Sequence, residues 1–287
     1  MKTMNSKDIL KRIAGQFGYR IINDTSDVTL KRMLGLYDEL RVKPQDFLRW
    51  DHSLANLASA SHLRTLFAEL NPEVLIDVGA NRGQFAISAR ALGFKGKIVS
   101  FEPQRGLYGT LKTLANKDGN WVVYPYGLGD KREELELSIY ADDTFSSVLS
   151  LSDKAVEKFG DLVSVTATEM IEIRTLDEVM SAEHLNTGSR IFLKSDTQGN
   201  ELNVLLGAAE TLSNAIAVLV EAAVDPLYVG AAHYFSLNEV LLGHGFLQAG
   251  MFPIGFDKRR HTLIELDCFY IRQSKCDLAE QAGATSV

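Results

Sequence analysis

The chain has 287 residues, 46% apolar, 23% charged and 9% aromatic, enough for a full-sized core; disorder, collagen-like repeats and a disulfide scaffold are excluded. A net charge of −7 argues against a protein whose main task is to neutralise phosphates along nucleic acid. Two cysteines, Cys268 and Cys276, are too few for a stapled secreted fold and lack zinc-site spacing, so a reducing cytoplasm is the expected home.

Residues 1–70 read as a helical extension. Apolar residues recur at Ile9, Ile13 and Phe17, at Leu30, Met33, Leu34 and Tyr37, and from Leu54 and Leu57 through Leu63, Leu66, Phe67 and Leu70. Breaks fall near Gly18, Asn23-Asp24 and Lys43-Pro44. The first fifty residues carry ten basic against six acidic side chains, opposite in sign to the whole. The segment Lys7 to Phe17, apolar on one side with basic residues beside it, suits either peripheral contact with an anionic membrane or packing on the rest of the chain. The polar start Met1-Lys2-Thr3-Met4-Asn5 does not read as a secretory signal, and no apolar run approaches the ~18 residues of a membrane span.

From Glu73 onward, short Val- and Ile-rich runs alternate with helix-length segments, the grammar of βα units and a largely parallel sheet. This places a boundary near residue 71, a main domain over 71–272 and a tail over 273–287. Strands are predicted at Val74-Asp77, Lys97-Phe101, Trp121-Tyr126, Arg190-Ser195, Ala215-Ala222, Phe246-Met251 and Leu263-Ile271. Helices are predicted at Gln84-Leu92, Arg105-Ala115, Leu176-Met180, Asn200-Leu212 and Ser236-Leu242. Between Asp130 and Arg174, the alternation at Leu135-Ile139 and again near Val163-Val165 suggests added antiparallel strands.

The sharpest motif is Val74-Leu75-Ile76-Asp77-Val78-Gly79-Ala80-Asn81-Arg82-Gly83-Gln84-Phe85, a buried strand entering a small-residue turn and then a helix. Gly79 and Gly83 allow positive φ and close backbone approach by a ligand. A dinucleotide turn needs glycines at relative positions 1, 3 and 6, where this chain has Gly79, Asn81 and Gln84, so a nicotinamide reading fails at two of three. Asp77 ends the first strand and Glu102 the second; a carboxylate there accepts hydrogen bonds from vicinal ribose hydroxyls, while Asp77 suits a cationic amino-acid portion. S-adenosylmethionine has both ends. The bland alternative is a tight strand-to-helix turn with a solvated acid nearby.

With that turn, Phe101-Glu102-Pro103, Gly127-Leu128-Gly129-Asp130, Ser146-Ser147, Thr175-Leu176-Asp177 and Leu193-Lys194-Ser195-Asp196-Thr197-Gln198-Gly199-Asn200-Glu201 follow in order. Together these blocks resemble the FkbM-type methyltransferase family over about 200 residues, from Pro72 to Arg272. The resemblance implies a class I methyltransferase fold, a Rossmann-like, seven-stranded, mostly parallel α/β sheet. It also implies S-adenosyl-L-methionine as cofactor and methylation of a hydroxyl on a sugar or natural product. The implied cofactor residues are Asp77, Gly79, Ala80, Asn81, Gly83, Phe85, Glu102, Pro103, Gly127, Leu128 and Ser147. Ser195 departs from the Ile or Val more usual in the family, and Tyr126-Gly127-Leu128-Gly129 from a fuller Ala-Leu-Gly.

Methyl transfer to a hydroxyl requires alignment and removal of the acceptor proton. Asp196, directly after a strand at the crevice, is the first candidate base or acceptor anchor; its alternative is a helix cap before Gly199-Asn200. Lys194, inside a strand that should be buried, needs a partner such as Asp196, Glu201 or Glu221, or must snorkel to water. Glu201 suits the helix dipole or catalysis, and Glu221 interrupts an apolar strand, an expensive position unless it faces the acceptor. His233, in the loop after that strand, is a second base candidate. No His/Glu spacing demands a metal. The stretch Asp142-Ser147, with Phe145 as an apolar platform, suits a sugar ring or is an ordinary turn. The expected partner is a small-molecule or glycan acceptor; a cofactor-binding scaffold without turnover is the reading from another class.

Overall fold

The computed structural model describes residues 50–183, 190–257 and 260–273, with side chains from residue 55. The Lys7–Phe17 helix, the breaks before Trp50, Cys276 and the tail from Ser274 lie outside the described residues. The described chain begins with helix α1 (Trp50–Leu70) and enters β1 (Val74–Val78), all five residues of which are buried. Such a continuous apolar run belongs to a parallel strand covered on both faces. Then follow α2 (Gln84–Ala91), β2 (Lys97–Phe101), α3 (Arg105–Asp118) and β3 (Trp121–Tyr124). Gly119, at φ 78°, ends α3 in the left-handed conformation that closes many helices.

A second, three-stranded sheet interrupts the βα alternation. It consists of β4 (Gly127–Leu128), β5 (Glu133–Tyr140) and β6 (Val165–Arg174), in the order β4-β6-β5, with α4 (Asp153–Phe159) between its last two strands. β5 and β6 pair antiparallel. β3 stops at Tyr124, short of the expected Tyr126, because the chain leaves the main sheet to pair Gly127 and Leu128 with Ile173 and Arg174.

After α5 (Leu176–Ala182) come β7 (Ile191–Ser195), α6 (Glu201–Leu206), α7 (Ala209–Asn214), β8 (Ala215–Ala223), α8 (Tyr234–Gly243), β9 (Phe246–Asp257) and β10 (Thr262–Arg272). The single helix expected over Asn200-Leu212 is broken at Gly207-Ala208. A Cβ on Gly207 would lie 1.9 Å from the Gly129 carbonyl oxygen, so that turn is pressed backbone to backbone on the loop after β4. β9 runs to Asp257, beyond the expected Met251, because it pairs with β10 as far as Thr262.

The main sheet has the order β3-β2-β1-β7-β8-β10-β9, with only β10 antiparallel to its neighbours. This is the class I methyltransferase arrangement. Strand order reverses between β1 and β7, and in such open sheets the ligand crevice lies at the carboxyl ends of the strands flanking that point.

Alternation along the strands divides the core between two faces. Val74, Ile76, Val78, Leu193 and Val220 pack with α5 to α8 on one face. Leu75, Phe192, Leu219 and Phe269 meet α1 to α3 on the other, where α1 contributes Leu57, Leu63, Leu66 and Phe67. The helix before Asn71 therefore closes the core of the sheet itself. No helix among the described residues is long and apolar enough to cross a membrane.

Candidate functional site

The same alternation sends the charged residues of the central strands to the α1 face. Asp77 on β1 and Lys194 on β7 are register neighbours, as are Glu221 on β8 and Asp267 on β10. A polar row thus crosses the carboxyl edge of the sheet beneath a helix. Lys194 Nζ lies 3.2 Å from Asp77 Oδ1 and 3.6 Å from Asp196 Oδ2, and donates to the carbonyls of Val78 (3.2 Å) and Gly79 (3.0 Å). Burial opposes its charge, but Asp77, Asp196 and Glu221 outweigh that and raise its pKa, so it stays an ammonium. Its nearest acid is Asp77, one strand away in register, and the expected Asp196 pairs with it as well, whereas Glu201 turns to the loop after β7.

Asp77 is fully buried. Burial raises its carboxyl and Lys194 draws it back. The residue is absent from the cavity wall, as is Gly83, where a Cβ would collide with Leu111 and Trp121. Gly79, at φ 73°, brings the turn against β7: a Cβ there would sit 1.8 Å from the Asp196 carbonyl oxygen.

A cavity of about 570 Å³ opens along this edge. Gly79, Ala80, Asn81, Phe85, Glu102, Pro103, Gly127, Leu128 and Ser147 line it. Glu102 accepts the backbone N–H groups of Asn81 (2.7 Å) and Gln104 (2.9 Å), and burial pushes its carboxyl up to about 7. The same wall includes Lys194, Asp196 and Glu221, with Asn56 and Ser59 from α1 and Asp267 from β10. Ser59 donates to Asp267 (3.3 Å), whose carboxyl burial raises to about 6. Burial and the neighbouring Asp196 raise Glu221 well above the carboxylate range, which favours its protonated form as a donor to Asp196.

Glu201 is buried at the start of α6, and its carboxylate accepts the N–H groups of Thr197 (2.7 Å) and Gly199 (3.1 Å) and the Thr197 hydroxyl (3.1 Å). That carboxylate holds the loop after β7, a task open to Asp196 on sequence grounds. Asp196 instead keeps a partly exposed carboxylate that accepts from Gln198 Nε2 at 2.9 Å. His233 precedes α8, stacks on Phe235 at 5.7 Å and is not in the cavity wall. Phe145 packs on Phe159 at 4.8 Å and is likewise outside it, so the expected platform is turned into a small neighbouring core.

The Asp142-Ser147 stretch nevertheless links the turn after β1 to the loop after β7. Asp143 pairs with Arg82 and its carbonyl accepts from Asn81 Nδ2 (3.4 Å), while Ser147 Oγ donates to the Gln198 carbonyl (2.8 Å). Three buried oxygens on residues lining the cavity, Gln104 Oε1, Ser146 Oγ and Ser195 Oγ, have no hydrogen-bond partner among the described residues. With Glu102, the first two offer acceptors beside the apolar walls of Phe101, Leu107 and Leu128, which fits a nucleoside with vicinal hydroxyls and an amino-bearing base.

The Methyltransferase FkbM domain model matches residues 77–247, more than half of the chain. The chain belongs to the FkbM methyltransferase family. The family's cofactor is S-adenosyl-L-methionine, and its donor and acceptor needs are those the cavity wall offers. Among solved structures, the chain is similar to magnesium protoporphyrin IX methyltransferase from Synechocystis PCC 6803 (11% identity, 95% of this chain and 100% of that chain covered, TM-score 0.39). It is also similar to precorrin-6y C5,15-methyltransferase from Geobacter metallireducens (12%, 74% and 87%, 0.36) and to Aeropyrum pernix fibrillarin (12%, 70% and 66%, 0.38). No curated relative matches the chain.

Sequence reading did not reach Asn56, Ser59, Gln198, Tyr228 or Asp267. The spacing of Glu265 and Asp267 in an otherwise apolar strand was the available signal for the last; the α1 residues carry none.

Proposed function

We propose that this FkbM methyltransferase transfers a methyl group to a hydroxyl of a sugar, glycan or glycosylated natural product, with Asp196 as base. The observation that carries the reading is one cavity whose wall holds both the Gly79–Asn81 turn with Glu102 and Asp196 with Glu221. Glu102 would hold the ribose hydroxyls, and Gly79, Ala80 and Asn81 the amino-acid portion through their backbone. Phe85, Pro103, Gly127, Leu128 and Ser147 would complete the wall. When bound, the cofactor supplies an electrophilic methyl on sulfonium. Asp77 and Gly83 act from behind, one by holding Lys194 and the other by packing the turn. Lys194 anchors Asp196 Oδ2, Glu221 donates to the same carboxylate, and Asp196 receives the acceptor's proton. His233 has no part in this division. A reducing compartment suits the buried free thiol of Cys268.

The test pairs calorimetry with turnover. Glu102→Ala should weaken S-adenosylhomocysteine binding at least tenfold, on the order of 1.4 kcal/mol. Asp196→Asn should keep that binding and abolish methylation of hydroxylated glycan acceptors. Equal loss of binding in both variants rejects the assignment, and tighter stabilisation by NAD than by S-adenosylhomocysteine in a thermal shift rejects the cofactor reading.

A further inference from the structure

The side chain of Gln198 stands between Asp196 and Tyr228. Its Nε2 donates to Asp196 Oδ1 at 2.9 Å, and its Oε1 lies 2.9 Å from the Tyr228 hydroxyl. That hydroxyl also lies 2.8 Å from the Phe145 carbonyl oxygen. Both neighbours of the hydroxyl are acceptors, yet it has one proton. In this orientation, one of them is under-served.

The amide's oxygen and nitrogen are nearly isosteric, so its turned orientation fits the same space. Turned, Nε2 donates to the Tyr228 oxygen, Tyr228 gives its whole proton to Phe145, and Oε1 faces Asp196 Oδ1. Two oxygens facing each other repel unless one carries a proton. The turned orientation therefore matches a protonated Asp196, and the first matches its carboxylate. Each has a complete or nearly complete set of donors for its own protonation state.

The rest of the loop is anchored so that only the amide has this freedom. The Gln198 backbone is held at φ 56° with its carbonyl bonded to Ser147, Gly199 is clamped by Glu201, and Tyr228 is buried and bridged to Leu151. We propose that Gln198 is a positioning residue whose side-chain amide turns over as Asp196 passes between carboxylate and acid, so that the base keeps a hydrogen-bond partner before and after it takes a proton. In the step it serves, the acceptor's O–H bond breaks and an O–H bond forms at Asp196; the amide exchanges partners and transfers nothing itself. The proposal rests on the reading of Asp196 as base.

Other charged groups around Asp196 are Lys194 on β7, Asp77 on β1, Glu221 on β8, Glu201 on α6, and Glu265 and Asp267 on β10. The test must therefore read the amide directly. The side-chain amide protons of the full chain, labelled with nitrogen-15, are recorded with and without S-adenosylhomocysteine, and their cross-relaxation to the Tyr228 ring is read. The Gln198 pair is assigned by its loss in Gln198→Leu. Asp196→Asn, with its oxygen turned to Lys194, presents an N–H to Gln198 Oε1 and so stands in for the protonated acid. The expected result is a Gln198 NH2 that cross-relaxes with the Tyr228 ring in Asp196→Asn and faces residue 196 in the parent chain. The same orientation in both chains overturns the proposal. Failure to bind S-adenosylhomocysteine would instead reject the methyl-transfer reading, and the comparison of the free chains would still decide the role of Gln198.

Discussion

Glu102 carries two opposed demands. Its carboxyl is raised from about 4.5 to about 7 by burial, so the folded protein without cofactor holds a proton there that the unfolded chain has released. The stability this group contributes is complete below about pH 4.5 and lost as pH rises through about 7. Glu102→Gln should remove a penalty of up to about 3 kcal/mol at pH 8, read as a flatter dependence of Tm on pH. Ribose hydroxyls favour the ionised form, so S-adenosylhomocysteine affinity should rise up to about tenfold between about pH 6 and about pH 8, and the rise should vanish in the variant. Lys194 is the complementary case. Lys194→Met leaves Asp77 buried without its counter-charge and should cost about 3–5 kcal/mol in urea unfolding; Asp77→Asn in the same background should recover part of that loss.

At the level of elements, the site depends on two places where backbones touch. Gly79 presses the turn after β1 on the end of β7, and Gly207 presses the end of α6 on the loop after β4. Gly207 has φ −82°, a conformation open to any residue, so Gly207→Ala isolates steric overlap from backbone strain. It should cost about 1–3 kcal/mol by overpacking and displace α6, breaking the 3.0 Å bond from Asn200 Nδ2 to the Leu128 carbonyl on the cavity wall. Gly230 is the control: its φ is 82° with nothing within 4 Å of a Cβ, so Gly230→Ala should cost only about 1 kcal/mol of backbone strain. Thermal unfolding and S-adenosylhomocysteine titration of both variants check this. Cofactor affinity should fall in the first and hold in the second.

Across the whole molecule, α1 belongs to the sheet's second core and to the cavity at once. Phe67 packs tilted against Phe94 (5.2 Å) and edge-on against Phe192 (5.3 Å), and Phe192 lies on the strand that carries Lys194. Phe67→Ala should destabilise the chain by about 3–5 kcal/mol, with one cooperative transition lost at lower denaturant, since the helix and sheet share one core. Two separate transitions would show that α1 folds apart from the sheet.

The strands of the main sheet were legible in the chain to within a residue or two at most ends, because a parallel strand buried on both faces must be apolar along its length. The turn at Gly79 and the acid at Glu102 were legible for a related reason: close backbone approach and a strand-end carboxylate leave local marks. The helix break at Gly207, the pairing of Lys194 with Asp77, the turning of Phe145 and His233 away from the cavity, and the bridge from Tyr228 through Gln198 to Asp196 were not. Each depends on which strand lies beside which and which loop crosses another. Sequence by itself determined the alternation that makes strands, helices and their buried faces. Only the tertiary structure decided which polar groups meet at the sheet's edge, because most of those partners are far apart along the chain and are brought together by the strand order and the loops that cross its edge.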